Sequence, residues 1–126
     1  MVSGTGRFRR SDRLRDSRDY KRVSLHNTRQ ASREFVVLLA SAGPAATGSV
    51  RLGITASRKV GNAVARNRVK RAVRDWFRTR KPTLPSARSD GLDVVVIARR
   101  GATRLAAPQI AERLEVLVGR AVKEWA

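Results

Sequence analysis

Ten lysines and arginines stand between Arg58 and Lys81, and Asp75 is the only acid among them. A run of this kind is suited to holding phosphate: each Arg offers a planar fork of N–H donors, each Lys a compact point charge. On a helical wheel Ala65, Val69, Ala72, Val73, Trp76 and Phe77 share one arc. Lys70, Arg71, Arg74 and Arg78 take the opposite arc, with Asn67 among them and Arg66 and Arg68 on its flanks. The apolar stripe is what a helix buries against a sheet, and it leaves the cations facing outward over roughly 28 Å at 1.5 Å per residue. Arg66–Lys70, Lys70–Arg74 and Arg74–Arg78 are like charges four positions apart, and each such pair costs a helix a few tenths of a kcal/mol. A polyanion gives that cost a reason. Upstream, Ser57-Arg58-Lys59-Val60-Gly61-Asn62 is a basic glycine turn feeding a helix start, where free N–H groups and the positive dipole end favour an anion.

Protein-borne catalysis has little to work with. A metal-dependent nuclease clusters carboxylates around its cations, whereas Asp12, Asp16, Asp19 and Glu34 are scattered among arginines, and Asp90 and Asp93 lie in and just after a loop. His26 is the only histidine, so neither a His pair nor a Ser/His/Asp set can be assembled; at a helix end it reads as a capping or surface residue. The chain has no cysteine, hence no disulfide framework and no thiolate zinc site. No catalytic residue and no metal ligand is assigned.

Positioning the cations falls to a small fold. At 126 residues and 13.9 kDa the chain has room for one domain with one core. Leu, Ile, Val and Phe make up 31 of the 126 residues, above the roughly 20 % below which a highly charged chain reads as disordered. No apolar run approaches the about 20 residues of a membrane span, and Met1–Gly6 does not begin a signal-peptide pattern; a cytoplasmic protein without a membrane partner is expected. The net charge of +18 is uneven. Residues 1–40 hold ten bases and four acids, residues 41–81 eleven and one, residues 82–126 seven and five. The last third therefore resembles an ordinary domain surface.

Residues 1–12 are expected to form a mobile basic arm and residues 13–126 the domain. The pattern predicts a helix over Ser17–Leu25 capped by Asp16 or Ser17, a short strand near Thr28–Ser32 and a strand over Arg33–Ala40. Ser41–Ser49 reads as a loop, and Ser49–Ser57 alternates as a half-buried strand, expected beside Arg33–Ala40 in an antiparallel pair. Asn62 should cap a long helix to Arg80, which Pro82 and Pro85 end. Leu92–Ala98 reads as a strand buried on both faces, and Pro108 starts a last helix to about Trp125. Ile110, Leu114, Leu117, Val118, Ala121, Val122 and Trp125 form its buried stripe. Trp76 and Phe77 read as core. The order gives a single-domain α+β fold.

The segment Arg51–Arg78, RLGITASRKVGNAVARNRVKRAVRDWFR, resembles the signature of the bacterial ribonuclease P protein family, whose centre is an Arg-Asn-Arg followed by a basic helix. Here these are Arg66-Asn67-Arg68 and Lys70-Arg71, preceded by Ser57-Arg58-Lys59 and Gly61-Asn62-Ala63. Weaker matches are Leu14, Asp19-Tyr20 and Val23, then Arg33 and Phe35, then Asp93 and Ala98-Arg99. The resemblance implies an α-β-β-β-α-β-α fold with a left-handed β-α-β crossover, against the usual right-handed rule, similar to the second domain of a small-subunit ribosomal protein. It implies a ribonucleoprotein endonuclease that cleaves the 5′ leader from precursor tRNA. In that enzyme the ribonuclease P RNA does the hydrolysis with Mg2+ that it mainly binds itself. The protein, monomeric without RNA, binds that RNA and the leader. By matching position, Arg66, Asn67, Arg68, Lys70 and Arg71 would face the RNA and the first leader nucleotides, with Arg74 on the same helix. Arg58 and Lys59 would contact phosphates, and Tyr20 would line the leader cleft. Ser24 and Leu38 stand where relatives often carry aromatics, which shifts leader binding from stacking toward charge; Phe35 is expected in the core. Two other readings are a ribosomal or RNA-chaperone protein of similar fold and a DNA-binding protein using Asn62–Arg80. The second is weakened because Asn67 is almost the only short polar side chain able to read bases.

Overall fold

The computed structural model describes residues 12–43, 49–84 and 91–125. Its elements are α1 (Ser17–Leu25), β1 (Thr28–Ala31), β2 (Phe35–Ser41), β3 (Val50–Thr55), α2 (Ala63–Arg80), β4 (Leu92–Ala98) and α3 (Ala107–Trp125), with 3-10 turns at Lys81–Thr83 and Arg100–Arg104. This is the predicted α-β-β-β-α-β-α order. Local punctuation sets the helix limits. The Asp16 carboxylate accepts the Arg18 N–H at 2.9 Å to start α1, and Asn62 Oδ1 accepts the Ala65 N–H at 2.8 Å to start α2. α2 then tightens into the turn that contains Pro82. Pro85, Asp90 and all but Asp12 of the expected basic arm lie outside the described residues.

The strand order is β1-β2-β4-β3. β2 is antiparallel to both β1 and β4, with Phe35 opposite Ala98 and Ser41 opposite Leu92. β3 runs parallel to β4, with Val50 opposite Leu92 and Thr55 opposite Ile97. The expected antiparallel pairing of Ser49–Ser57 with Arg33–Ala40 is therefore corrected: β4 lies between them. The reason is burial. β2 and β4 are apolar almost without interruption and are buried on both faces, so they occupy the centre. β3, whose residues alternate, takes an edge, and α2 returns the chain to run parallel to it.

Helices cover both faces. Phe35, Val37, Leu39, Val50, Leu52, Leu92, Val94 and Val96 point to α2 and α3, where Trp76, Phe77, Leu114 and Leu117 complete the main core. Val36, Leu38, Ala40 and Val95 point the other way and meet Leu14 and Val23 beneath α1. Phe35, Trp76 and Phe77 are buried as the sequence predicts. The indole N–H of Trp76 still donates to Glu115 at 2.6 Å, and the same carboxylate pairs with Arg80 at 3.1 Å, clipping α2 to α3.

Candidate nucleic-acid interface

As a sheet edge, β3 exposes backbone groups that need partners. The chain ahead of α1 supplies one: Leu14 N–H donates to the Leu52 carbonyl at 2.9 Å, within a bridge between Arg13 and Leu52. Tyr20 supplies another, its hydroxyl hydrogen-bonding with the Ile54 backbone. The Tyr20 ring lies on Gly53, where a Cβ would come within 2.6 Å of the phenol oxygen and 2.8 Å of ring carbons. Only glycine leaves room for it.

Between this covered edge and α2 opens a cavity of about 190 Å³. Leu14, Leu52 and Ile54 give it an apolar lining, Tyr20 an aromatic wall, and Arg13, Arg15, Lys70 and Arg74 a cationic rim. A neighbouring concavity is lined by Arg13, Arg15, Arg51, Asp16 and Asp19. Burial raises the Tyr20 phenol above its ordinary value, partly countered by the bond to Ile54, so the ring is neutral at neutral pH. The Arg74 guanidinium is held below its ordinary value by burial first and then by Arg13 and Arg71, with Asp75 pulling the other way. It stays charged.

Of the sequence-predicted residues, the structure brings Tyr20, Lys70 and Arg74 together on this cavity. Arg66 lies on the same i, i+4 row as Lys70 and Arg74, half-buried, with an Nε that has no hydrogen-bond partner. Asn67 and Arg71 are exposed on α2, and Arg58 and Lys59 are exposed on the turn ahead of it. Arg68, on the flank of the basic arc, turns toward the Arg100–Arg104 turn. Its Nη1 donates to the Leu105 carbonyl at 2.9 Å and its Nη2 to that of Thr103. The cations of α2 thus fan over the groove, the outer face and the Arg100–Arg104 turn. Ser24 is exposed, its hydroxyl on the Lys21 carbonyl, while Leu38 is buried under α1; neither lines the groove.

Arg13 and Arg15 were not among the sequence candidates. Their signal is the period of two in Arg13-Leu14-Arg15, which turns Leu14 inward and both arginines out. A second unforeseen feature is a buried ion cluster. Asp93 is fully buried and receives Arg51 Nε at 2.8 Å and Nη2 at 2.9 Å, together with Arg22. Asp19 joins through Arg22 at 3.3 Å and Arg51 at 3.6 Å. The cluster ties α1 to β3 and β4 and neutralises Arg22 and Arg51. Lys81 is likewise paired with Asp12. Among the described residues no group of three or more His, Cys, Asp or Glu is placed to hold a metal ion. Nor is any helix among them long and apolar enough to cross a membrane.

Fold and groove together define a class: a small α+β protein whose covered sheet edge and basic helix form a cationic, aromatic-walled channel suited to a polyanion. The family model described as Ribonuclease P matches residues 8–122. The ribonuclease P protein component of Syntrophobacter fumaroxidans is 37% identical over 113 residues, 90% of each chain. That of Brevibacillus brevis is 36% identical over 112 residues, covering 89% of this chain and 84% of the relative. Among solved structures, the Staphylococcus aureus RNase P protein superposes with a TM-score of 0.78 at 33% identity, covering 89% of this chain and 96% of that one. The Thermotoga maritima RNase P protein gives 0.66 at 34% identity, covering 83% and 94%. The chain belongs to the ribonuclease P protein family.

Proposed function

We propose that this protein works in the cytoplasm as the RNA-binding subunit of ribonuclease P, the ribonucleoprotein that removes the 5′ leader of precursor tRNA. The hydrolysis and its magnesium belong to the RNA subunit. The protein, a monomer before it meets RNA, grips that RNA with Arg58, Lys59, Asn67 and Arg71, and takes the single-stranded leader into the groove beside Tyr20. Arg66, Lys70 and Arg74, with Arg13 and Arg15, hold the leader phosphates. Any base can stack on the aromatic wall for about 1–3 kcal/mol, so the grip tolerates varied leaders. Arg68, already committed to two backbone carbonyls, is not among the proposed contacts.

The observation that carries this reading is the meeting of Tyr20 with Lys70 and Arg74 on one open cavity, aromatic and cationic at once. The test is cleavage of precursor tRNA by a matching ribonuclease P RNA at low magnesium, with and without the protein. Cleavage is expected to need the protein. No stimulation at any magnesium concentration, alongside tight binding to other structured RNA, would favour a ribosomal or chaperone role.

A further inference from the structure

Arg99, Arg100 and Arg104 crowd into six positions of the otherwise balanced C-terminal third. The structure carries the turn they occupy onto the start of α2. Ala102 and Leu105 are buried in the main core with Val60. Gly61 lies so close to Thr103 that a Cβ there would come within 3.2 Å of the threonine methyl. Arg68 fastens the turn from the side through the carbonyls of Thr103 and Leu105. Arg100 and Arg104 are exposed, and their side chains make no ion pair or hydrogen bond among the described residues; the same holds for Arg58 and Lys59, just ahead of Gly61. Glu34, the acid beside Gly101, is already engaged by Arg113 and Ser32. Two segments far apart in sequence thus bring four uncompensated cations to one end of α2.

We infer that Arg100 and Arg104 join Arg58 and Lys59 as a second phosphate-binding face for folded RNA, and that Arg68 is the positioning residue that holds this face together. The inference rests on the proposed role as an RNA-binding subunit. The physical ground for the assignment of Arg68 is its fork: two carbonyls accept from it, and a guanidinium spent in that way has fewer donors left for phosphate. The cations beyond it have no such engagement.

The test uses the full-length protein and measures binding to the ribonuclease P RNA alone, and to precursor tRNA alone, across a salt series; the two titrations tell which RNA occupies the face. Arg100→Gln with Arg104→Gln should make the slope of log affinity on log salt shallower by about 1.4–1.8 for that RNA, two contacts at about 0.7–0.9 each, with melting unchanged. Arg68→Lys keeps the charge and loses the fork. It should weaken binding in the wild-type background and add nothing in the Arg100→Gln, Arg104→Gln background. Full rescue by lysine, or losses that simply add, would make Arg68 a direct contact and overturn its positioning role. Wild-type slopes with both RNAs in the double variant would overturn the face itself, and this arm decides even where Arg68→Lys impairs folding. Failure of the wild-type protein to bind either RNA would instead overturn the functional reading, and the face with it.

Discussion

Gly53 decides where Tyr20 can lie. Any side chain at position 53 would overlap the phenol, since even a Cβ comes within 2.6 Å of its oxygen. Gly53→Ala must therefore lift the ring from the strand and break its bond to Ile54. Affinity for a leader-bearing substrate should fall as it does for Tyr20→Ala, by roughly 5- to 150-fold if one stacked base is lost. The double variant should lose no more than either single one, and a leaderless substrate should bind as before. An additive double variant would mean that Gly53 acts by another route. The phenol makes a separate prediction about stability. Burial raises its pKa above the ordinary 10.0 in the folded protein, so the folded state holds that proton more tightly than the unfolded one. The resulting stability is fully present below the unfolded value and is lost as pH rises through the folded one. Denaturant titrations above pH 10 should show a shallower alkaline decline for Tyr20→Phe than for the wild type; parallel declines would place the phenol in contact with water.

At the scale of elements, α1 depends on Asp93. One buried carboxylate receives both Arg51 and Arg22, reached across 42 and 71 positions of sequence. Removing one partner of a buried pair costs about 3–5 kcal/mol; both arginines keep some exposure, 24% and 32% of their side chains, which places Asp93→Asn toward the lower end of that range. The variant should also lose leader affinity more than affinity for the ribonuclease P RNA, because α1 carries Tyr20 while α2 is anchored through Trp76 and Glu115. Equal losses for both ligands would mean that Asp93 supports the whole fold and not the seat of α1. This cluster marks the limit of what the chain discloses before it folds. Helix limits were legible because Asp16, Asn62 and Pro108 punctuate them locally, and the cations of α2 because a helix repeats every 3.6 residues. Strand order was not, since alternation tells which faces are buried and not which strand lies alongside. The continuous apolar run of Leu92–Ala98 did contain the clue that it belongs between Phe35–Ser41 and Val50–Thr55. Arg13 and Arg15 are hard to place from sequence because their segment belongs to no helix or long strand, and the seating of Leu14 on Leu52 aims them. The engagement of Arg68 depends on a turn more than thirty residues away.

For the molecule as a whole, a net charge of +18 on 126 residues is a standing repulsion that a compact state must overcome. The fold answers part of it internally, through Asp93 on Arg22 and Arg51, Asp12 on Lys81, and Glu115 on Arg80. Among the described residues, eight cations without an ion pair gather on and around α2: Arg66, Lys70, Arg71 and Arg74 on the helix, Arg58 and Lys59 before it, Arg100 and Arg104 beside it. If these eight meet RNA phosphates, binding should release about 0.7–0.9 counterions for each, and log affinity should fall against log salt with a slope near about −6. Cations that merely kept the protein soluble would stay hydrated in the complex, and the slope would be shallower than about −2. The intermediate range is informative as well. Charge reversal at Arg18, which is paired with Asp16 on the exposed surface of α1, should leave the slope unaltered, whereas Lys70→Gln or Arg74→Gln should each reduce it by close to one contact. A slope that responded equally to all three would mean that the RNA senses net charge alone, and that the separation of paired from unpaired cations has no bearing on how it is held.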